Sequence, residues 1–322
     1  PIGSRGLGDV YKRQVIYLTH NHVVTFYSIE RIKDHKKVGR TVERFCTKHN
    51  IVGTFFSTPQ GVNTTLSGNN KFLKGLISLL EKKFLLDLKE QTWSISKALP
   101  FKRLKIKCRD RLLPLKGDFD PVESRGKHLN FSEWNALILD SNTVVIDVRN
   151  DYETEIGSFR NSLIPNMSNL TEFPDFIEKN LLDNKDKKIA MFCTGGIRCE
   201  VASSFMIDKG FNDVYQLDGG ILRYLKDAKD ENLWQGECFV FDERVTVDKY
   251  LKPGKYHQCF GCRRPLSNQD LKSQYYEKGI SCHHCFKFSS EKDKERFAQR
   301  QLQIELAAVS YTHLRAHETL LD

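Results

Sequence analysis

One segment of the sequence combines a cysteine, two glycines and an arginine directly after an apolar run. Lys188–Phe192 is typical of a buried strand, and Cys193 follows it at once. In open parallel sheets, ligands bind at the carboxyl ends of the strands. A cysteine there faces backbone N–H groups and a helix N-terminus, both of which favour its thiolate. The spacing therefore predicts a reactive Cys193 in an anion-binding loop made of Thr194, Gly195, Gly196, Ile197 and Arg198.

A simpler interpretation of Cys193 is a core cysteine before a glycine turn, since free cysteines are among the most buried residues. The joint occurrence of strand, cysteine, glycines and arginine favours the reactive thiol. Cys199 has two interpretations of equal weight. It could resolve a persulfide or sulfenate formed on Cys193, or it could be only a small side chain in the first helical turn.

A second cysteine cluster has the spacing of a metal site. Cys259 and Cys262 form one C-x2-C pair, and Cys282 and Cys285 form another after nineteen residues. Two such pairs present four thiolates to one ion in a tetrahedron, so we expect structural zinc. Redox-active dithiols are the alternative, whereas disulfides are disfavoured because the other five cysteines are scattered and a secretion signal is lacking.

The charge is positive and unevenly distributed. The chain of 322 residues has 50 Lys and Arg against 41 Asp and Glu, a net charge of +9. Eight basic residues and one acidic residue lie between Lys97 and Lys116, a pattern that could attract phosphates, although basic surface strands are common. The candidates for RNA contact are Lys102, Arg103, Lys105, Lys107, Arg109 and Arg111.

Composition and hydropathy exclude an integral membrane protein. The mean hydropathy is −0.48, and no apolar stretch approaches the roughly 20 residues that span a bilayer. We expect a cytoplasmic protein with no membrane association. Residues 1–14 resemble a translated sequencing-adapter fragment, and residues 309–322 resemble its downstream counterpart, so both ends are expected to be non-native.

The elements that carry these residues fall into three predicted domains. Residues 15–112 are expected to form an α+β domain of order βαββαβ, the ferredoxin-like fold, with Leu104–Cys108 as its last, basic edge strand. Residues 113–127 are a predicted linker. Buried strands alternate with helices over 128–229, which predicts a parallel α/β domain. A Cys-rich module over 230–289 and a charged helix over 290–308 follow.

The central domain resembles rhodanese-homology domains, in which the loop cysteine carries a persulfide. Cys193–Arg198 is similar to their active-site loop, and Asp147 and Arg149, followed by Glu153, are similar to their acidic strand-end motif. Sulfur-handling members have four residues between cysteine and arginine, whereas related tyrosine phosphatases have five. Four are present here, which disfavours a phosphatase. The resemblance implies supporting roles for Asp147 and Arg149.

A longer resemblance, over about 15–307, is to the bacterial tRNA uridine hydroxylase family. Thr194–Glu200, Phe239–Arg244 and the paired cysteines carry it. It implies oxygen-dependent 5-hydroxylation of the wobble uridine of tRNA, with molecular oxygen as co-substrate and Cys193 as the essential cysteine. The sequence departs from the family at Gln60–Thr64, where members usually have Glu-Gly-Ile-Asn-Gly, so a role for that glutamate is not supported here.

Three functions stay open from the residues themselves. The leading hypothesis is a tRNA-modifying oxidoreductase. The alternatives are a thiosulfate or persulfide sulfurtransferase, which uses the same loop, and a non-catalytic tRNA-binding protein. In the first case a Cys193 thiolate either adds to C6 of uracil and activates C5, or carries an oxidised sulfur.

Overall fold

The computed structural model describes residues 21–88, 91–96, 101, 103–242 and 244–310. Lys102, one of the predicted RNA contacts, and residues 1–14 and 311–322 of the expected non-native ends lie outside the described residues. The chain divides into two compact units. The first comprises Pro1–Pro114 and Asp118–Arg125, and the second comprises Leu115–Gly117 and Gly126–Asp322.

The first unit is a five-stranded sheet with two helices on one face. Its elements are β1 (Asn21–Ile29), α1 (His35–Lys48), β2 (Val52–Thr58), β3 (Gly61–Gly68), α2 (Asn70–Phe84), β4 (Gln91–Ser96) and β5 (Leu104–Cys108). The strand order is β4-β1-β3-β2-β5. Neighbouring strands are antiparallel except for β2 and β5, which are parallel.

The ferredoxin-like order is confirmed, but the prediction that Leu104–Cys108 is its last strand is wrong. The strand that completes βαββαβ is β4, which pairs with β1 over Asn21–Phe26. Leu104–Cys108 is an additional strand at the opposite edge. The sequence of β4 mixes polar residues with Trp93 and Ile95, so its alternation is weak. Pairing with an otherwise open edge of β1 makes this segment a strand.

Apolar residues of β1, β2, β3 and the two helices form the core of this unit. Val24, Phe26, Phe55, Val62 and Leu66 face the helices and are at most 1% exposed. Side chains alternate across a strand, so their neighbours in sequence point to the opposite face. The side chains of Asp34 and Asn69 accept hydrogen bonds from N–H groups in the first turns of α1 and α2, which fixes where the helices begin.

The second unit contains a parallel sheet covered by helices. Its first elements are β6 (Lys127–Leu129), α3 (Phe131–Ile138), β7 (Thr143–Asp147), α4 (Asp151–Thr154), β8 (Gly157–Phe159), α5 (Phe173–Asn180), β9 (Lys188–Phe192), α6 (Ile197–Asp208), β10 (Val214–Leu217) and α7 (Gly220–Ala228). The sheet order is β6-β10-β9-β7, with all pairs parallel. The predicted parallel α/β domain is therefore observed, and Asn130 and Glu133 form a capping box at α3.

Short strands and one long helix complete the unit. They are β11 (Trp234–Gly236), β12 (Cys238–Phe239), β13 (Thr246–Val247), β14 (His257–Gln258), β15 (Pro265–Leu266) and α8 (Glu291–Ser310). Strand β11 pairs with β8 in a separate two-stranded sheet, which ties the segment after α7 to the segment after α4. None of the described helices is long and apolar enough to cross a membrane.

Candidate active site and metal centre

Cys193 lies directly at the carboxyl end of β9, in the loop that leads into α6. The Gly196 N–H donates a hydrogen bond to its Sγ at 3.1 Å. The Cys193 carbonyl accepts a hydrogen bond from the Ile221 N–H at 2.9 Å. The Thr194 carbonyl accepts one from the Leu222 N–H at 3.1 Å. The start of α7 therefore fixes the loop, and the start of α6 provides donors to the sulfur.

Two glycines give this loop its shape. Gly196 has φ 93° and Gly220 has φ 64°, both in the region that side chains disfavour. A Cβ at Gly220 would lie 2.5 Å from the Cys193 carbonyl oxygen and within 2.8 Å of the N atoms of Gly195 and Gly196. By contrast, a Cβ at Gly195 would meet no atom within 4 Å. The loop is packed tightly on the side of α7 and open above Gly195.

The surroundings of Cys193 favour its ionised form. Burial opposes the thiolate, but a hydrogen bond from the Cys199 thiol, the charge of Arg198 and the backbone N–H groups of Cys199 and Arg198 outweigh it. Together they lower the pKa of Cys193 to about 6. Burial and the neighbouring Cys193 raise the pKa of Cys199. Cys199 is thus a buried thiol that donates to the Cys193 thiolate.

A pH titration checks this ionisation. Because the pKa of Cys193 lies near 6, its thiolate is expected to form as the pH rises through 6 and to be nearly complete at pH 7.5. The difference in thiolate absorbance between the wild-type protein and a Cys193→Ser variant isolates this sulfur from the other eight cysteines. A midpoint above pH 8, near the ordinary thiol value, would contradict the assignment.

Arg198 forms an ion pair with the buried carboxylate of Glu153. Its two terminal nitrogens donate to the two Glu153 carboxylate oxygens at 2.6 and 2.8 Å, and one of them also reaches the Thr194 hydroxyl at 3.1 Å. The Thr194 hydroxyl donates to Glu153 at 3.1 Å. Burial opposes ionisation of Glu153, but the charge and hydrogen bonds of Arg198 outweigh it and hold the pKa of Glu153 below its usual range.

Asp147 and Arg149 form a second buried ion pair beside the first. Arg149 donates to both Asp147 carboxylate oxygens, at 2.8 and 2.7 Å, and to the carbonyls of Glu153 and Gly157. Both side chains are fully buried. The guanidinium of Arg149 also lies 5.0 Å from the centre of the Trp234 ring. This pair fixes the backbone around α4, so the predicted supporting residues act by holding the segment that carries Glu153.

Removal of the Glu153 charge is expected to destabilise the protein strongly. A Glu153→Gln variant leaves Arg198 as a mostly buried, uncompensated cation, which typically costs about 3–5 kcal/mol of unfolding free energy. Glu155→Gln is a matched control two residues away, because Glu155 is 49% exposed and pairs only with Arg264 among the ion pairs described. Its expected effect is about 0–1 kcal/mol. Urea denaturation of both variants measures the difference, and equal losses would contradict a buried pair.

The four predicted ligands come together in the second unit. The Sγ atoms of Cys259, Cys262, Cys282 and Cys285 all lie within 4.8 Å of one another, so the group could hold a metal ion. Three of the sulfur–sulfur distances are 3.7, 3.9 and 3.9 Å. A tetrahedral ion with metal–sulfur bonds of about 2.3 Å sets its ligands roughly 3.8 Å apart. All four cysteines are free, and a disulfide needs sulfurs at about 2.05 Å.

A bound cation would change the ionisation of these four sulfurs. The Cys262 thiol donates to Cys259, which lowers the pKa of Cys259 to about 5 and raises that of Cys262. Burial raises the pKa of Cys282 to about 12. Four adjacent thiolates repel one another, and a bound divalent ion removes that repulsion. Among the described residues, the group that could hold an ion contains the four cysteines and no histidine. His257 is hydrogen-bonded to Asn268, and His283 lies 3.7 Å from Asp270.

The four-cysteine cluster is connected through Arg264 to the segment that carries Glu153. This residue, two positions after Cys262, forms ion pairs with Asp151 and with Glu155, the latter at 3.2 Å. Its guanidinium lies 5.9 Å from the centre of the Tyr152 ring. These partners flank Glu153 on α4. The four-cysteine module therefore packs on the same short helix that supplies the carboxylate for Arg198.

The predicted basic residues lie in the first unit. Those that the structure describes are Arg103, Lys105, Lys107, Arg109 and Arg111, and all are exposed. Lys105 and Lys107 are on β5, and Arg109 continues the strand through a backbone hydrogen bond to Ser57. Together they form an exposed basic edge of the first unit.

Two family models match separate parts of the chain, one in each of the two compact units. Residues 21–112 match the UPF0176 acylphosphatase-like domain, and residues 131–227 match the rhodanese-like domain. The tRNA uridine(34) hydroxylase of Acaryochloris marina (strain MBIC 11017) is 39% identical over 288 residues, which are 88% of this chain and 92% of that protein. This chain belongs to the tRNA uridine(34) hydroxylase family. The family resemblance found in the sequence is thereby confirmed.

Two solved structures each align with about a third of this hydroxylase-family chain. A rhodanese-related protein from Thermoplasma volcanium is 26% identical, covers 31% of this chain and 92% of its own, and has a TM-score of 0.27. A rhodanese-like domain protein from Staphylococcus aureus is 24% identical, covers 30% of this chain and 90% of its own, and also has a TM-score of 0.27.

Glu153 is the site residue that sequence reasoning did not select. It belongs to the acidic strand-end motif, and the resemblance assigns it no role. Its partner Arg198 is 45 positions away, so no local spacing links them. One sequence signal could have indicated this role. Glu153 follows the buried strand end Asp147–Arg149, and the loop arginine Arg198 needs a counter-ion.

Proposed function

We propose that this protein hydroxylates C5 of the wobble uridine of tRNA and that Cys193 acts directly on the base. The observation that carries the proposal is the Cys193 sulfur, held at a strand end by a Gly196 N–H and with its pKa lowered to about 6, in a chain of the hydroxylase family. A thiolate at neutral pH is the nucleophile that addition to a uracil ring requires.

The loop suits two forms of this chemistry. In one, the Cys193 thiolate adds to C6, and the electrons of the C5–C6 double bond move toward C5, which then reacts with oxygen. Once C5 carries the hydroxyl, loss of the C5 proton re-forms the C5–C6 double bond and expels the Cys193 thiolate from C6. In the other, Cys193 carries a sulfur in an oxidised state and does not add to the ring as a thiolate. Hydroxylation replaces C5–H with C5–OH. If molecular oxygen supplies that atom, its second atom leaves as water with two electrons and two protons from a thiol reductant.

We also propose that the four-cysteine centre holds structural zinc. Four sulfur ligands leave no open coordination position for a substrate, which is the arrangement of structural sites. Cys259, Cys282 and Cys285 are buried, as expected for a folding centre. Reduced thiols and tRNA coexist in the cytosol, and we place the reaction there.

The direct test uses purified full-length protein and unmodified tRNA. Incubation in air with a thiol reductant is expected to convert the wobble uridine to 5-hydroxyuridine, detected by mass spectrometry of tRNA digests. An anaerobic reaction is expected to give none. Product formed equally without oxygen would refute the oxygen dependence. Absence of 5-hydroxyuridine in every condition, and in cells that carry the gene, would refute the hydroxylase assignment.

A sulfurtransferase is the second candidate, favoured by the four-residue spacing between Cys193 and Arg198 and by the rhodanese-like match over 131–227. Its test is cyanide-dependent thiocyanate formation from thiosulfate. Efficient turnover without RNA would favour it, whereas the hydroxylase is expected to show little.

A further inference from the structure

The sheet of the first unit has one face covered by helices and one face that carries polar, aromatic and basic side chains. Helices α1 and α2 cover the face with Phe55 and Val62. On the opposite face the strand register aligns Tyr27, Asn63, Phe56 and Lys107 in one row across four strands. None of these four side chains is fully buried.

A second row lies beside the first. Thr25, Thr65, Thr54 and Lys105 are aligned by the same register, and the Thr25 and Thr65 hydroxyls are hydrogen-bonded at 2.9 Å. Rows on one face are separated by two residues of a strand, about 6.6 Å. Short hydroxyl side chains of the second row therefore lie next to the two aromatic side chains of the first row.

Two cationic side chains lie near the Phe56 ring. The Lys107 ammonium lies 5.8 Å from the ring centre and the Arg109 guanidinium 4.9 Å. The five strands contain no acidic residue. An anion that approaches this face thus meets Lys105, Lys107 and Arg109 without a carboxylate on the strands to repel it.

We propose that this face binds unpaired nucleotides of RNA, with Phe56 as a stacking surface and Lys105, Lys107 and Arg109 as phosphate contacts. An aromatic ring beside cations is an arrangement that accepts a flat base and its backbone together. The proposal extends the proposed function, because the loops of tRNA present such unpaired nucleotides. It assigns the grip on RNA to aromatic as well as basic residues.

Binding of a labelled single-stranded oligouridine to the full-length protein tests the proposal. Phe56→Leu removes the ring and keeps apolar volume, so affinity is expected to fall about tenfold, since stacking contributes roughly 1–3 kcal/mol per base. Phe56→Tyr keeps the ring and is expected to bind as wild type. Unchanged affinity in Phe56→Leu would overturn the stacking role.

The salt dependence separates stacking from charge. A Lys105→Ala, Lys107→Ala double variant is expected to reduce the slope of log affinity against log salt by about 1.4, or 0.7 per phosphate contact, whereas Phe56→Leu leaves the slope unchanged. Lys36→Ala with Lys37→Ala is the matched control, because both residues are exposed on α1, which covers the opposite face. Equal effects of the two lysine pairs would show diffuse attraction and overturn the assigned face.

Two competitors complete the test. A blunt RNA duplex is expected to compete much less well than oligouridine, since its bases cannot stack on the protein, and equal competition would overturn the preference for unpaired bases. Polyglutamate that competes as well as oligouridine would show a general polyanion surface instead. Formation of 5-hydroxyuridine by the wild-type protein is measured in parallel. Unchanged oligouridine affinity in Phe56→Leu beside normal wild-type turnover would overturn this proposal and leave the hydroxylase assignment standing.

Discussion

Cys193→Ser is expected to reduce formation of 5-hydroxyuridine by about 10⁴-fold or more, the effect typical of a lost nucleophile. Serine retains the shape and the hydrogen bond from the Gly196 N–H. Its hydroxyl does not ionise near neutral pH, whereas the pKa of Cys193 is about 6. The measurement is the rate of uridine conversion in tRNA digests. Product at wild-type level would refute a role for this sulfur.

Two other cysteine variants are compared with Cys193→Ser, one as a control and one as a test of Cys199. Cys108→Ser changes an exposed cysteine of the first unit and is expected to leave the rate unchanged. Cys199→Ser distinguishes the two interpretations of its neighbour. The serine hydroxyl still donates to the Cys193 thiolate but cannot form a disulfide. Retained turnover would therefore assign Cys199 to hydrogen bonding, and lost turnover with an unchanged Cys193 titration would assign it to redox resolution.

Removal of metal from the four-cysteine centre is expected to unfold the module around it. Apart from the four cysteines, its described core consists of Leu266, Leu271 and Tyr276, which is too small to hold the short strands together. Zinc bound by four thiolates contributes about 10–16 kcal/mol in small zinc modules at neutral pH. A strong chelator is therefore expected to release about one zinc per chain, measured with a metallochromic dye, and to expose four additional reactive thiols.

Removal of the metal is also expected to affect the loop that carries Cys193. Loss of the module releases Arg264 from Asp151 and Glu155, and these residues flank Glu153. We expect a lower hydroxylation rate after chelation and recovery on addition of zinc. Arg264→Ala should reproduce part of the loss with zinc retained. Arg263→Ala should not, because the described contacts of its side chain are with Gln258 and Phe260. Full activity of the metal-free protein would contradict this connection.

Local patterns predicted the geometry well where the participating residues are close in sequence. The loop from Cys193 to Arg198 is one strand end, one turn and the start of one helix, so its geometry follows from glycine conformation and helix direction. Each C-x2-C pair likewise forms one tight turn. The capping box of Asn130 and Glu133 needs only the first turn of α3.

Predictions were weaker where a partner lies far along the chain. The strand β4 has little pattern of its own and became a strand because β1 offered an open edge. The pairing of Arg198 with Glu153 depends on α4 lying against the loop. The contact of Arg264 with Asp151 joins residues 113 positions apart.

By itself, the sequence determined the cysteine loop, the grouping of the paired cysteines, the two fold types and the family, because each depends on short spacings or on runs of alternating residues. The tertiary structure decided which carboxylate neutralises Arg198, which helix the metal module supports, and which aromatic residues share a sheet face with Lys107. The physical reason is the same in all three cases. Burial and strand register bring together groups that are distant in the chain, and only the packed fold sets those distances.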